Sequence, residues 1–295
     1  MSGYLTIGLL MGFIGLGLIV KIVLGKIKLI DKAIHLFSKF LYFILLPFVF
    51  FDTFAARGLI VADASILTIA VVYVIVSILA LSKIFLEGDY RIRNAVIITS
   101  IFQNNVFLGF PVLLILFNDI GAAAMYSLVI FILHIVTAGL LAASEDNILV
   151  SVAKLPIIYG FLGGTLVHYL APNIYPYLRP FLAPTHPLLS YGAVFILGYT
   201  LPLTLKHVFL YKRCFMVISL WRFLASPVMH YLMLLFLPMP FLYRMEIMVL
   251  SFMPPAVMNT VIARIYGWKP EFVASSTLVL TLISLGIILA IPLFM

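Results

Sequence analysis

Apolar stretches of about twenty residues follow one another along this chain, with little polar sequence between them. Of its 295 residues, 65% are hydrophobic and 9% are charged. A soluble domain carries about 25% charged residues. A core that absorbed this much apolar surface would leave too little polar surface to face water, so the solvent must be lipid. A spanning helix needs about 20 apolar residues. Segments 1 to 10 are predicted at about 4–24, 33–54, 64–85, 92–117, 120–142, 153–171, 187–206, 213–237, 243–265 and 271–294. Met1 to Val20 lacks a basic leader and a small-residue cleavage site, so it is read as the first retained helix. The longest connection, at about 172–186, carries Pro172, Pro176, Pro180 and Pro184. That spacing predicts no regular helix. The connection is expected to lie along the membrane surface, with Tyr175, Tyr177 and Phe181 at headgroup level. The single cysteine, Cys214, rules out internal disulfides and cysteine-based metal clusters.

The net charge of +8 is a topology signal and does not call for nucleic acid. Thirteen basic residues fall in alternate loops: Lys21, Lys26, Lys28 and Lys32; Lys83, Arg91 and Arg93; Lys154; Lys206, Lys212 and Arg213; Arg264 and Lys269. The opposite side has only Arg57, Arg179 and Arg244. The positive-inside rule then places both termini outside the cytoplasm of a multi-pass cell-membrane protein. Ten segments divide into five and five, at residues 1–142 and 153–295. An odd number of crossings per half sends the second half in from the opposite face. The expected fold is an all-α integral membrane protein built from two inverted five-helix repeats, a common transporter plan.

Two polar, proline-marked interruptions fall in the fourth segment of each half. One is Gln103-Asn104-Asn105-Val106-Phe107-Leu108-Gly109-Phe110-Pro111, and the other is Met253-Pro254-Pro255-Ala256-Val257-Met258-Asn259. Proline removes a backbone donor and clashes with the preceding turn. In lipid each freed backbone group costs several kcal/mol unless it finds a partner. Gly109 beside Pro111 permits unwinding, and Pro254-Pro255 nearly requires it. The chain after each proline is expected to restart as a half-helix, with its free N–H groups and positive dipole end at the midplane. Two such ends favour an anion. Asn104, Asn105 and Asn259 add amides without the cost of a buried charge. The plain alternative is a pair of kinked spanning helices.

Arg222 lies about 15 Å into segment 8, near the midplane, where a charge must face protein or water. It either attracts the substrate anion or replaces a coupling cation, or else it caps carbonyls freed by a broken helix. Lys39 can snorkel to the headgroups. His134, His168 and His230 could carry protons, or be hydrogen-bonded packing residues. Gly12, Gly15, Gly17, Gly160, Gly163 and Gly164 mark close packing of segments 1 and 6. All ten acids, Glu87, Glu145, Asp146 and Glu246 among them, fall near predicted helix ends or in loops. No carboxylate is expected at the midplane, which disfavours proton coupling. A sodium ion could be held by backbone carbonyls with Gln103, Asn104 and Asn259, since it needs oxygens and not necessarily charge.

Asn104 to Pro111 resembles the N-T-G-F-L-G-L-P stretch of the auxin efflux carrier family, with Asn105 and Val106 in place of Thr-Gly. Met253-Pro254-Pro255-Ala256 followed by Ala263-Arg264-Ile265-Tyr266-Gly267 resembles the family's second signature, roughly M-P-x-A then A-x-x-Y-G. Leu46-Pro47 is similar to its L-P, and Trp221-Arg222-Phe223 with Pro227 resembles a K-L-x-x-x-P pattern. Residues 143–152 leave no room for the long central loop of plant PIN-type carriers, so the chain resembles a short prokaryotic-type member. The resemblance implies a fold related to bile acid:sodium symporters, with segments 4 and 9 crossing. It implies a scaffold of segments 1, 2, 6 and 7 (about 4–54 and 153–206) and a transport domain of segments 3–5 and 8–10 (about 64–142 and 213–294) that moves like an elevator. It also implies organic anion substrates, auxin-like or mono- or dicarboxylate, and a homodimer through the scaffold.

The leading expectation is therefore a secondary carrier of a small organic anion. Its site would contain Asn104, Asn105, Gly109, Pro111, Pro254, Pro255 and Asn259, with Arg222 nearby. A sodium-coupled symporter is the alternative, and a non-transporting membrane sensor or scaffold the distant one. An enzyme would need a paired carboxylate, a zinc-binding H-E-x-x-H or an activated nucleophile, and none is evident.

Overall fold

The computed structural model describes residues 2–84, 89–143, 147–202 and 204–290, with side chains from 8 to 288. Glu87, Glu145, Asp146, Met1 and the last residues of predicted segment 10 lie outside the described residues. Within them the principal elements are helices: α1 (Ser2–Leu24), α2 (Lys28–Arg57), α3 (Ala62–Ile84), α4 (Tyr90–Ile101), α5 (Asn105–Phe117), α6 (Gly121–Ala142), α7 (Pro156–Leu170), α8 (Thr185–Thr200), α9 (Lys212–Phe236), α10 (Phe241–Ser251), α11 (Val257–Tyr266) and α12 (Pro270–Ala290). Five of these, α2, α3, α6, α9 and α12, are long and apolar enough to cross a membrane. A sixth is gained if Pro172–Leu182 and α8, bent by 43°, form one span. Stretches within α1, α5 and α7 are apolar but shorter.

The proline-rich connection corrects one expectation. Residues Pro172–Ile174 form a 3-10 turn and Tyr175–Leu182 an α-helix with Pro180 inside it. Proline costs nothing in a helix's first turn, where the N–H has no acceptor anyway, and Pro176 stands there. Four-residue spacing keeps the prolines on one face, so Pro180 deprives only a single carbonyl of its donor. Tyr177 and Phe181 are exposed, while the Tyr175 hydroxyl donates to Asp52 at 3.0 Å.

Three other prolines are absorbed without a break. Leu41–Leu45, Asn105–Gly109 and Trp221–Ala225 are π turns, and Pro47, Pro111 and Pro227 each follow two residues later. The residues between, Leu46, Phe110 and Ser226, donate to the carbonyls of Leu41, Asn105 and Trp221, five residues back. A wider turn moves aside the carbonyl that the proline ring would strike.

Glycine sets the tightest helix pairs. A side chain at Gly160 or Gly164 of α7 would strike the backbone of α2 at Pro47 or Phe51, and one at Gly17 would strike α8 at Phe195. Gly198 of α8 meets α1 in the same way at Ile14. Gly12 and Gly15, expected to pack closely, face open space, and Gly163 meets only the Phe51 ring. The other helices pack around α4, α5, α10 and α11, with α3 against α6, α9 against α4, and α11 against α12.

Candidate functional site

The two interruptions meet. Between α4 and α5 the chain is extended at Phe102, and between α10 and α11 it runs non-helically from Met253 to Ala256. Gln103 pairs with Pro255 in an antiparallel bridge. The Asn104 N–H donates to the Pro254 carbonyl at 2.7 Å, and the Ala256 N–H donates to the Phe102 carbonyl at 2.9 Å. Asn259, in the first turn of α11, adds a side-chain donor to that same Phe102 carbonyl at 3.0 Å. Each break thus satisfies backbone groups that the other has freed, which is what a dry interior demands.

Pro254 and Pro255 lie in the second break as expected, but the first break is displaced from its predicted place. Gly109 and Pro111 are both helical, and unwinding occurs earlier, at Phe102-Gln103-Asn104. The π turn accommodates Pro111. Gly109 serves a close approach, because a Cβ there would run into Leu250 of α10.

Arg222 lies on one side of this junction and is fully buried. Its Nη1 donates to the carbonyls of Ser100 and Ile101 at 3.0 and 2.9 Å, to the Tyr73 hydroxyl at 3.1 Å and to Gln103 Oε1 at 3.4 Å. Its Nη2 donates to Ser226 Oγ at 2.6 Å and to the Ser251 carbonyl at 3.0 Å. Ser100 and Ile101 end α4, and Ser251 ends α10. Each helix C-terminus carries about half a negative charge, so two together balance one guanidinium. Among the described residues no carboxylate lies within ion-pair distance of it. This arrangement fits the capping role and leaves only Nε without a partner.

A chain of hydrogen bonds extends from there. Gln103 Nε2 donates to the Tyr126 hydroxyl at 2.8 Å, and that hydroxyl meets His230 Nε2 at 2.7 Å. The other ring nitrogen, Nδ1, lies 2.7 Å from the Ser226 carbonyl. A carbonyl can only accept, so Nδ1 carries the proton and Nε2 accepts from Tyr126. Both ring nitrogens of His230 are thus engaged within the protein. His168 holds the Ala55 carbonyl at 3.0 Å. His134 stacks on Phe102 with centroids 4.0 Å apart, and its Nε2 has no partner. Lys39 is exposed, as snorkelling requires.

The starts of α5 and α11 at the junction hold the asparagines. Asn104, Asn105 and Asn259 are buried. Asn104 Nδ2, both polar atoms of the Asn105 side chain and Asn259 Oδ1 lack hydrogen-bond partners. Asn105 opens α5, and Asn259 lies in the first turn of α11. These are helix N-terminal ends, whose first N–H groups have no acceptor within the helix.

Two cavities reach the helices that leave the junction. One, of about 900 Å³, is lined by Pro111 of α5 with Asp52, Arg57, Asp119, Arg179 and His186. The other, of about 650 Å³, touches α11 at Val257 and Thr260 and is lined by Lys21, Lys26, Asp31 and Arg264. Within the first, His186 Nε2 holds Asp52 at 2.8 Å, and Arg57 binds Asp63 through two hydrogen bonds of 3.1 and 2.9 Å. No group of three or more metal-ligating side chains occurs among the described residues.

Residues 23–150 match a family model described as membrane transport protein. The match covers α2 to α6 and the first junction strand, and it agrees with the resemblance to the auxin efflux carrier family read from the sequence motifs. It points to a membrane transport protein rather than to an enzyme. No curated protein matches the chain.

Sequence reasoning missed Glu246. It is fully buried in the middle of α10, where its Oε2 accepts the Ala123 N–H at 2.9 Å. The predicted segment began at residue 243, which made Glu246 look terminal.

Proposed function

We propose that this protein is a secondary carrier of a small organic anion, bound where the two interruptions meet. The observation that carries this reading is the set of unpartnered amide atoms on three buried asparagines. A buried polar group without a partner costs about 1–3 kcal/mol. Four of them at helix N-terminal ends are groups that a bound solute would satisfy. Two are donors, Asn104 Nδ2 and Asn105 Nδ2, and two are acceptors, Asn105 Oδ1 and Asn259 Oδ1. A carboxylate that also bears an O–H or N–H donor meets both needs. That class includes hydroxy acids and auxin-like indole acids.

In this reading predicted segments 4 and 9 are broken helices crossing at the midplane of a ten-helix inverted repeat. The scaffold is α1, α2, α7 and α8, and the remaining helices move past it as an elevator. The cavities at Pro111 and at Val257 and Thr260 support alternating access, because each lies against one of the half-helices leaving the junction. Lys21, Lys26 and Arg264 converge on the second cavity, which supports placing it on the cytoplasmic side with both termini outside. A homodimer through the scaffold belongs to the same proposal, and crosslinking in the membrane would test it.

Radiolabelled lactate, malate and indole-3-acetate flux into proteoliposomes tests the carrier. Combined Asn104→Ala and Asn259→Ala should reduce flux at least about tenfold, the equivalent of one lost hydrogen bond of 1.4 kcal/mol. Unchanged flux would refute the site. A sodium-coupled version is less well supported. The carbonyls of Ser100, Ile101 and Ser251, which could hold a cation, are occupied by Arg222. Replacing sodium by choline should leave flux unchanged.

A further inference from the structure

Two carboxylates share the start of α6. Asp119 Oδ1 accepts the Gly121 N–H at 3.2 Å, and Glu246 Oε2 accepts the Ala123 N–H at 2.9 Å. Glu246 is fully buried and its Oε1 has no partner, while Asp119 is half-buried and lines the larger cavity. A helix N-terminus supplies about half a positive charge, which cannot compensate two full negative ones. The other charged and titratable groups facing Glu246 do not close the gap. Arg57, from the end of α2, is committed to Asp63 at the start of α3. Tyr243, on α10 itself, is neutral in its ordinary state, and its hydroxyl lies against Gly121. Like-charged acids held together in a poorly solvated site keep a proton between them.

We infer that Asp119, on the wall of the larger cavity, and Glu246, buried on the neighbouring α10, form a proton-binding site at the start of α6, and that the carrier moves its organic anion together with this proton. The site takes one proton from cavity water, converting a carboxylate to a carboxylic acid, and returns it to water when the junction faces the other side. Both acids flank the half-helices that hold the asparagines, since Asp119 follows α5 directly and Glu246 lies on α10, so proton and solute ride on connected elements. This inference rests on the carrier reading above and departs from the expectation that the lack of a midplane carboxylate disfavours proton coupling.

The test uses the purified full chain in proteoliposomes loaded with a pH-sensitive dye, with labelled lactate, malate and indole-3-acetate as probes. For wild type, an imposed pH gradient should drive solute accumulation, up to about tenfold per pH unit, with protons entering alongside. Glu246→Gln should keep solute exchange yet lose pH-driven accumulation, and Asp119→Asn should weaken it. Accumulation by Glu246→Gln equal to wild type would overturn the inference. Infrared spectroscopy separates this outcome from failure of the carrier reading. Wild type in detergent at neutral pH should show a protonated carboxylic acid band that Glu246→Gln abolishes, whatever the flux result. If Glu246→Gln does not fold, the comparison of wild type with Asp119→Asn decides, and absence of the band from wild type overturns the site.

Discussion

The two sides of the junction are chemically opposite. On one side the ends of α4 and α10 are closed by Arg222, which makes six hydrogen bonds to side chains and carbonyls. On the other side the starts of α5 and α11 carry asparagines with four unpartnered polar atoms. The same kind of break thus yields a finished structural joint on the side of the negative helix ends and an unfinished one on the side of the positive ends. The difference teaches where to look for a solute. Saturated polar groups hold the fold, and unsaturated ones are available for binding.

Substitutions can break that contrast or sharpen it. The largest effect on stability should come from Arg222→Met. It removes the cation and leaves three helix-end carbonyls facing each other, a loss of about 3–5 kcal/mol by analogy with breaking a buried pair. Melting followed by a thiol-reactive dye at Cys214, the half-buried lone cysteine, would read it directly. Tyr126→Phe should cost less, about 1–3 kcal/mol, because it strands the Gln103 amide and His230 Nε2. The same melting assay checks it. The paired Asn104→Ala and Asn259→Ala change should shift melting less still, because only the Asn259 bond to Phe102 is lost, at about 1 kcal/mol. Flux should nevertheless collapse. A large melting shift with intact flux would erase the distinction between the two sides.

The smallest effect serves as a control far from the junction. The backbone N–H of Arg91 donates to Asp89 at 2.9 Å, and Lys269 lies 3.3 Å away. Chiefly through that backbone bond, the Asp89 carboxyl is held below its ordinary range. A group depressed in the folded state stabilises above its unfolded value and ceases to do so as pH falls through the folded one. Asp89→Asn should therefore lower melting slightly at neutral pH, and the gap from wild type should begin to narrow as pH falls below about 4 and close as it passes the depressed folded value.

How much was legible follows from how local each signal was. Pro254-Pro255 forbids helix through its own chemistry, and the second break lies where those residues are. The first break has no such residue. Its position at Phe102 to Asn104 is set by pairing with a segment about 150 residues away, while the locally conspicuous Gly109 and Pro111 stay helical. Arg222 was visible as a buried charge, but its partners on α3, α4 and α10 could not be read from α9. Glu246 was hidden by a helix boundary set a few residues too late. Four-residue proline spacing was read as a helix breaker, though it confines the loss to one face.

The backbone pairing across the junction has a consequence for how such a protein can diversify. Gln103 with Pro255, Asn104 with Pro254 and Ala256 with Phe102 are joined by main-chain atoms, which every amino acid carries. Side chains at these positions can be exchanged without untying the knot, provided that no new proline removes the Asn104 or Ala256 donor. A lineage could thus change the solute it accepts by point substitution around an unchanged joint. Two carriers with different diets would then differ at the asparagines while keeping the same crossing.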